Sequence, residues 1–104
     1  MDCEPDFPPP DLPPGAVSRE LPIINRKGLH ARASAKFVQT VDRFEADVMV
    51  TRCGETVGGR SIMGLLTLAA AKGTSVIVSA SGHDAREALN AIEALLADRF
   101  GEEE

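Results

Sequence analysis

The stretch ADVMVTRCGETV, residues 46–57, reads as two strands and the turn between them. Residues 46–52 alternate in the period-two pattern of a half-buried strand, Cys53 and Gly54 supply the turn, and residues 55–57 begin the return. So short a connection permits only antiparallel pairing, because parallel neighbours need a crossover of a dozen or more residues. The hairpin therefore sets the character of the sheet.

Upstream of it, Leu29, Ala33, Phe37, Val41 and Phe44 recur at helical spacing, which predicts a helix over residues 29–44. RELPIINR, residues 19–26, reads as a first strand. Pro22 assigns it to a sheet edge, because proline has no amide proton to give to a ladder. Downstream, Gly58 and Gly59 break the return strand, and SIMGLLTLAAA, residues 61–71, predicts a short, very apolar helix. TSVIVSAS, residues 74–81, is a fourth strand. The last helix is expected to start at Asp84, with capping-box spacing to Glu87, and to bury Ala85, Ala88, Leu89, Ile92, Leu96 and Phe100. The resulting order, βαββαβα, fits an α+β domain with a four-stranded antiparallel sheet and its helices on one face.

With 104 residues the chain forms one small domain, burying roughly 60 to 65% of its unfolded surface. Residues 1–17 contain six of the seven prolines and little to bury, and predict a disordered acidic tail. The compact domain is expected over residues 18–100, followed by an acidic tail at residues 101–104. The net charge of −5 comes from these ends: residues 18–100 hold all eleven Lys and Arg against nine acids. Too few basic residues and aromatics are present for nucleic acid. No apolar run approaches the ~20 residues of a membrane span, and the acidic start lacks the features of a secretory signal, so a cytoplasmic protein is expected. Cys3 and Cys53 have neither metal-ligand spacing nor the density of a disulfide scaffold, and read as free thiols. No metal or cofactor is expected.

The candidate site is GLHARASAKFV, residues 28–38. Helices ordinarily open on Ser, Thr, Asp or Asn, whose side chain accepts an amide proton; Ser61 and Asp84 fit that habit. The first helix instead has His30 at the cap, after Gly28 and Leu29 and before Ala31 and Arg32. Its leading amides are left for an anion at the positive end of the helix dipole. Gly28 allows a close backbone turn, and Arg32 adds a donor fork. Arg26, Lys27 and Lys36 lie close by in sequence. A neutral imidazole beside a bound phosphate can attack phosphorus and carry the group, whereas a histidine at a helix start is otherwise an ordinary surface residue. No paired carboxylate or nucleophile accompanies it, which sets aside a small hydrolase using His30 as general base.

GLHAR followed by ASAKFV, with SIMGLLTLAA thirty-one residues after the histidine, resembles the HPr family of histidine-containing phosphocarriers of the bacterial phosphoenolpyruvate-dependent phosphotransferase system. The resemblance covers residues 19–100 and implies an open-faced β-sandwich with three helices on one side of the sheet. It implies that His30 accepts phosphate on Nδ1 from enzyme I and passes it to a IIA-type domain. Arg32 would hold the phosphoryl oxygens, with Gly28, Ala31 and Ala33 shaping the phosphate-binding loop. The protein would then be a phosphotransfer intermediate, not an enzyme, and a monomer without nucleic-acid or membrane partners. Many members of the family have proline where this chain has Ala33; alanine there also occurs in the nitrogen-type branch and in some proteobacterial members, which leaves the downstream partner open. An alternative is therefore a regulatory module whose phosphorylation state controls partner proteins.

Ser61 reads as an N-cap on physical grounds, and the resemblance adds a role as the target of HPr kinase/phosphorylase. In the apolar second helix, Leu65, Leu68 and Ala69 are expected to face the sheet. Ile62, Met63 and Leu66 then remain as a docking patch, with Ala35 and Arg60 at its border, or else complete the core. His83 is expected to be a solvated turn residue.

Overall fold

The computed structural model describes residues 15–102. Four strands, β1 (Val17–Pro22), β2 (Asp47–Arg52), β3 (Glu55–Gly58) and β4 (Ser75–Ser81), alternate with three helices, α1 (Ala31–Val41), α2 (Ile62–Thr67) and α3 (Ala85–Ala97), in the order βαββαβα. The sheet runs β1-β4-β2-β3 and every neighbouring pair is antiparallel. β1 is an edge strand, as Pro22 required, and ends where Pro22 opposes Ser75. The tail expected over residues 1–17 falls largely outside the described residues.

The β2–β3 hairpin pairs Val50 with Val57 and Arg52 with Glu55. Its two turn residues, Cys53 and Gly54, have φ of 56° and 78°, the paired positive angles that a type I′ turn requires. Cys53 departs from expectation in its chemistry: it is disulfide-bonded, not a free thiol. The other cysteine, Cys3, lies outside the described residues.

One face of the sheet carries the core. Val48 and Val50 of β2 and Val76, Val78 and Ala80 of β4 point inward. Against them pack Ala33, Phe37 and Val41 of α1, Leu65 of α2, and Ala85, Ala88, Leu89, Ile92 and Leu96 of α3. All the positions expected on the apolar face of α3 are buried, including Phe100 beyond its end. Burying each large apolar side chain contributes about 1.5 to 3 kcal/mol, so this shared face is what holds three short helices in place.

The helices are shorter than their apolar patterns. α1 stops at Val41, where Arg43 and Phe44 donate to the carbonyls of Thr40 and Val41, closing the end with tighter i−3 bonds. α2 stops at Thr67 for the same reason: Leu68 and Ala69 bond back to Leu65 and Leu66, and Ala69 takes a φ of 52°. That left-handed residue reverses the facing that helical spacing predicts, so Ala69 is exposed while Leu68 and Ala70 are buried. β1 also ends early, but Ile23 continues backbone bonding, donating to Thr74 and accepting from Gly73.

Asp84 occupies the N-cap of α3 without capping it. Its carboxylate accepts instead from the Glu45 amide at 2.8 Å, while its own amide donates to the Glu45 carbonyl at 3.0 Å. The expected capping box is replaced by a clip between two loops.

Candidate functional site

The loop between β1 and α1 is fixed by its backbone. Gly28 has a φ of 67°, and a Cβ there would lie 2.5 Å from the Ala70 carbonyl oxygen. The adjacent Leu29 amide donates to that same oxygen at 2.9 Å. Only glycine admits both the angle and the approach. The loop is thus pinned to the segment following α2, and His30 is delivered to the start of α1.

His30 is the N-cap residue of α1 and its side chain makes no cap bond. The first helical bond joins the Ser34 amide to the His30 carbonyl at 2.8 Å. The amides of Ala31, Arg32 and Ala33 therefore precede the ladder at the positive end of an eleven-residue helix. Ala31 and Arg32 are exposed, whereas the Ala33 side chain is fully buried and anchors the first turn to the core. The expected grouping of Gly28, His30, Ala31, Arg32 and Ala33 is local, and the structure keeps it together.

Two residues that no local motif marks complete the site. The His30 Nε2 lies 2.5 Å from Glu102 Oε2, across 72 positions of sequence. Asn25, fully buried, donates through Nδ2 to the Gly28 carbonyl at 2.8 Å and to Glu102 Oε1 at 3.2 Å. Partial burial opposes the charge on Glu102, but the hydrogen bonds from His30 and Asn25, with the nearby charges of His30 and Lys27, outweigh it and hold the carboxyl below its ordinary range. In sequence Glu102 is one of three consecutive acids expected to form a tail, and nothing local distinguishes it from its neighbours. Lys36, expected near the anion site, donates instead to the Phe100 carbonyl at 2.5 Å, securing the turn that carries Glu102.

Ser61 caps α2, its Oγ accepting from the Gly64 amide at 3.0 Å, and the residue is exposed. Ile62 and Met63 are 39% and 71% exposed, Leu66 and Ala35 half-buried. The Arg60 guanidinium is occupied within the molecule: it donates to the Asp42 carboxylate and to the carbonyls of Ala46 and Phe44 at 2.9 to 3.2 Å. Met49, on the outward face of β2, is a further exposed apolar residue. His83 is an exposed turn residue. No helix among the described residues is long and apolar enough to cross a membrane.

A small α+β domain that presents one histidine at an uncapped helix mouth offers a nucleophilic imidazole beside free backbone donors, the pieces an anion-handling site needs. Known proteins place it further. Residues 17–98 match the family model described as the PTS HPr component phosphorylation site. The phosphocarrier protein HPr of Neisseria meningitidis is 48% identical over 85% of this chain and 99% of its own, and that of Cupriavidus necator is 47% identical over the same shares. The crystal structure of HPr-C-His from Thermoanaerobacter tengcongensis superposes with a TM-score of 0.81 at 39% identity, over 85% of this chain and 99% of that one. The chain belongs to the HPr family of phosphocarrier proteins.

Proposed function

We propose that His30 is the phosphoryl acceptor of this carrier. It takes the group on Nδ1 from the phosphohistidine of enzyme I and gives it to a IIA-type domain. The observation that carries this reading is the start of α1: three amides ahead of the first helical bond, no side-chain cap, and an imidazole at the cap position. Those amides and the exposed Arg32 supply donors for phosphoryl oxygens, so the group is held without a metal. Phosphoryl transfer depends mainly on positioning, which lets a small domain form one half of a reaction completed by each partner. Arg32 acts as the phosphate clamp, Gly28 and Ala31 shape the loop, and Ile62, Met63, Leu66 and Ala35 form the docking surface. The protein works as a cytoplasmic monomer.

Ser61 is the second site, a substrate for HPr kinase/phosphorylase. Its exposed hydroxyl is reachable, and a phosphate there would add close to two negative charges beside the docking surface. Such a charge repels an acidic partner and slows transfer through His30. Ala33 supports a second reading, in which the protein serves a nitrogen-type regulatory branch and controls partners by its phosphorylation state.

Incubation with enzyme I and phosphoenolpyruvate tests the central assignment. We expect one acid-labile, alkali-stable phosphate, absent from His30→Ala and reduced in Arg32→Ala; labelling that survives His30→Ala overturns it. With the cognate kinase and ATP, an acid-stable phosphate lost in Ser61→Ala is expected, and an unlabelled wild-type protein removes the regulatory role.

A further inference from the structure

We infer that Glu102 is a positioning residue for phosphoryl transfer, holding the proton of His30 on Nε2 so that Nδ1 presents the lone pair that attacks phosphorus. The inference rests on the assignment of His30 as phosphoryl acceptor and adds the device that prepares it.

An ionised carboxylate can only accept a hydrogen bond. At 2.5 Å from Glu102 Oε2, Nε2 of His30 must therefore be the donor. In a neutral imidazole the other nitrogen is then unprotonated. No other partner of the ring is found among the described residues. The tautomer is selected by a contact that lies on the ring edge away from Nδ1.

Glu102 is held firmly enough to do this. Its second oxygen accepts from Asn25, which also holds the Gly28 carbonyl, so one buried amide fixes both the carboxylate and the loop carrying the histidine. The backbone behind Glu102 is tied as well. Its amide donates to the Arg99 carbonyl at 3.0 Å, the Phe100 side chain is buried, and Lys36 holds the Phe100 carbonyl. The side chains of His30 and Glu102 are only 26% and 19% exposed, so solvent competes weakly for the contact.

The chemistry balances without a proton transfer. The Nδ1 lone pair forms the new N–P bond, and the donor's bond to phosphorus breaks with its electron pair leaving on the donor nitrogen. The His30 ring becomes an N-phosphorylated imidazolium that keeps its Nε2–H on Glu102. The positive charge that develops on the ring thus meets a carboxylate already in place, while the phosphoryl oxygens face Arg32 and the helix amides.

Imidazole 15N chemical shifts of the full chain, measured where the ring is neutral, read the tautomer directly. We expect His30 to be Nε2–H alone in the wild type, a mixture of both forms in Glu102→Ala, and Nε2–H again in Glu102→Gln, whose amide oxygen restores an acceptor. The rate of His30 phosphorylation by enzyme I should fall about tenfold in Glu102→Ala, more than its fall in thermal stability accounts for, and recover in part in Glu102→Gln. A wild-type ring that mixes both tautomers, or a Glu102→Ala variant that keeps the wild-type tautomer and rate, overturns the inference while leaving His30 the acceptor. A wild-type protein that takes no phosphate on His30 removes the assignment beneath it.

Discussion

A histidine that carries a phosphoryl group must be a nucleophile at one nitrogen and remain protonated at the other, and the residues around His30 separate those tasks in space. The amides of Ala31, Arg32 and Ala33 lie ahead of the α1 ladder, where the proposed function puts the phosphate, while Glu102, held by Asn25, contacts Nε2 on the other side of the ring. The cost is a carboxylate kept ionised in a half-buried position. Its hydrogen bonds favour the charged form, so the folded carboxyl titrates below the unfolded one. The stability this contributes is complete above the ordinary glutamate value of about 4.3, and is lost as pH falls through the lower folded value. A carboxyl 13C titration of Glu102 is expected to show a midpoint below the ordinary value of a free glutamate side chain. A midpoint at or above that value would show that the contact does not persist in solution.

Among the elements, the loop from β1 to α1 is the most constrained, because it is fastened to the end of α2 before it reaches His30. Gly28→Ala must place a Cβ 2.5 Å from the Ala70 carbonyl oxygen in a left-handed conformation. The conformation alone costs about 1 to 2 kcal/mol and the collision adds to it. We expect the denaturant midpoint to fall by an amount equivalent to at least about 2 kcal/mol, and phosphorylation of His30 to slow more than stability alone explains; a neutral substitution would mean that the loop bends freely. Much of this was legible in the chain. The hairpin, the edge strand, the uncapped first helix and the apolar face of α3 all follow from residue order, because each depends on neighbours a few positions apart. Helix ends and loop clips were not. Asp84 has the spacing of a cap yet serves Glu45, and Ala69 leaves the helical path because α2 tightens at its end. The first is set by a tertiary partner and the second by the tightening of the last helical turn, and the spacing of apolar residues encodes neither.

At the scale of the whole molecule, the site is closed by a contact spanning nearly the full domain, and no local pattern marks Glu102 as different from an acidic tail residue. What distinguishes it is Phe100, which continues the apolar stripe of α3 past the helix and turns into the core. That anchor brings the chain back across α1, where Lys36 takes the Phe100 carbonyl and Glu102 reaches His30. Phe44 provides a comparison of equal chemistry, since it lies half-buried under the Arg43 guanidinium at 5.3 Å. Removing a fully buried phenyl leaves a cavity as well as losing its transfer energy, which together cost about 3 to 5 kcal/mol. A ring that is partly solvated loses less. Equilibrium denaturation of the two alanine variants should therefore rank Phe100→Ala well below Phe44→Ala in stability. In Phe100→Ala at low denaturant, the His30 ring should also lose its single tautomer, whereas Phe44→Ala should retain it. Equal destabilisation with an unchanged ring in both variants would mean that Glu102 is held at the site without the Phe100 anchor.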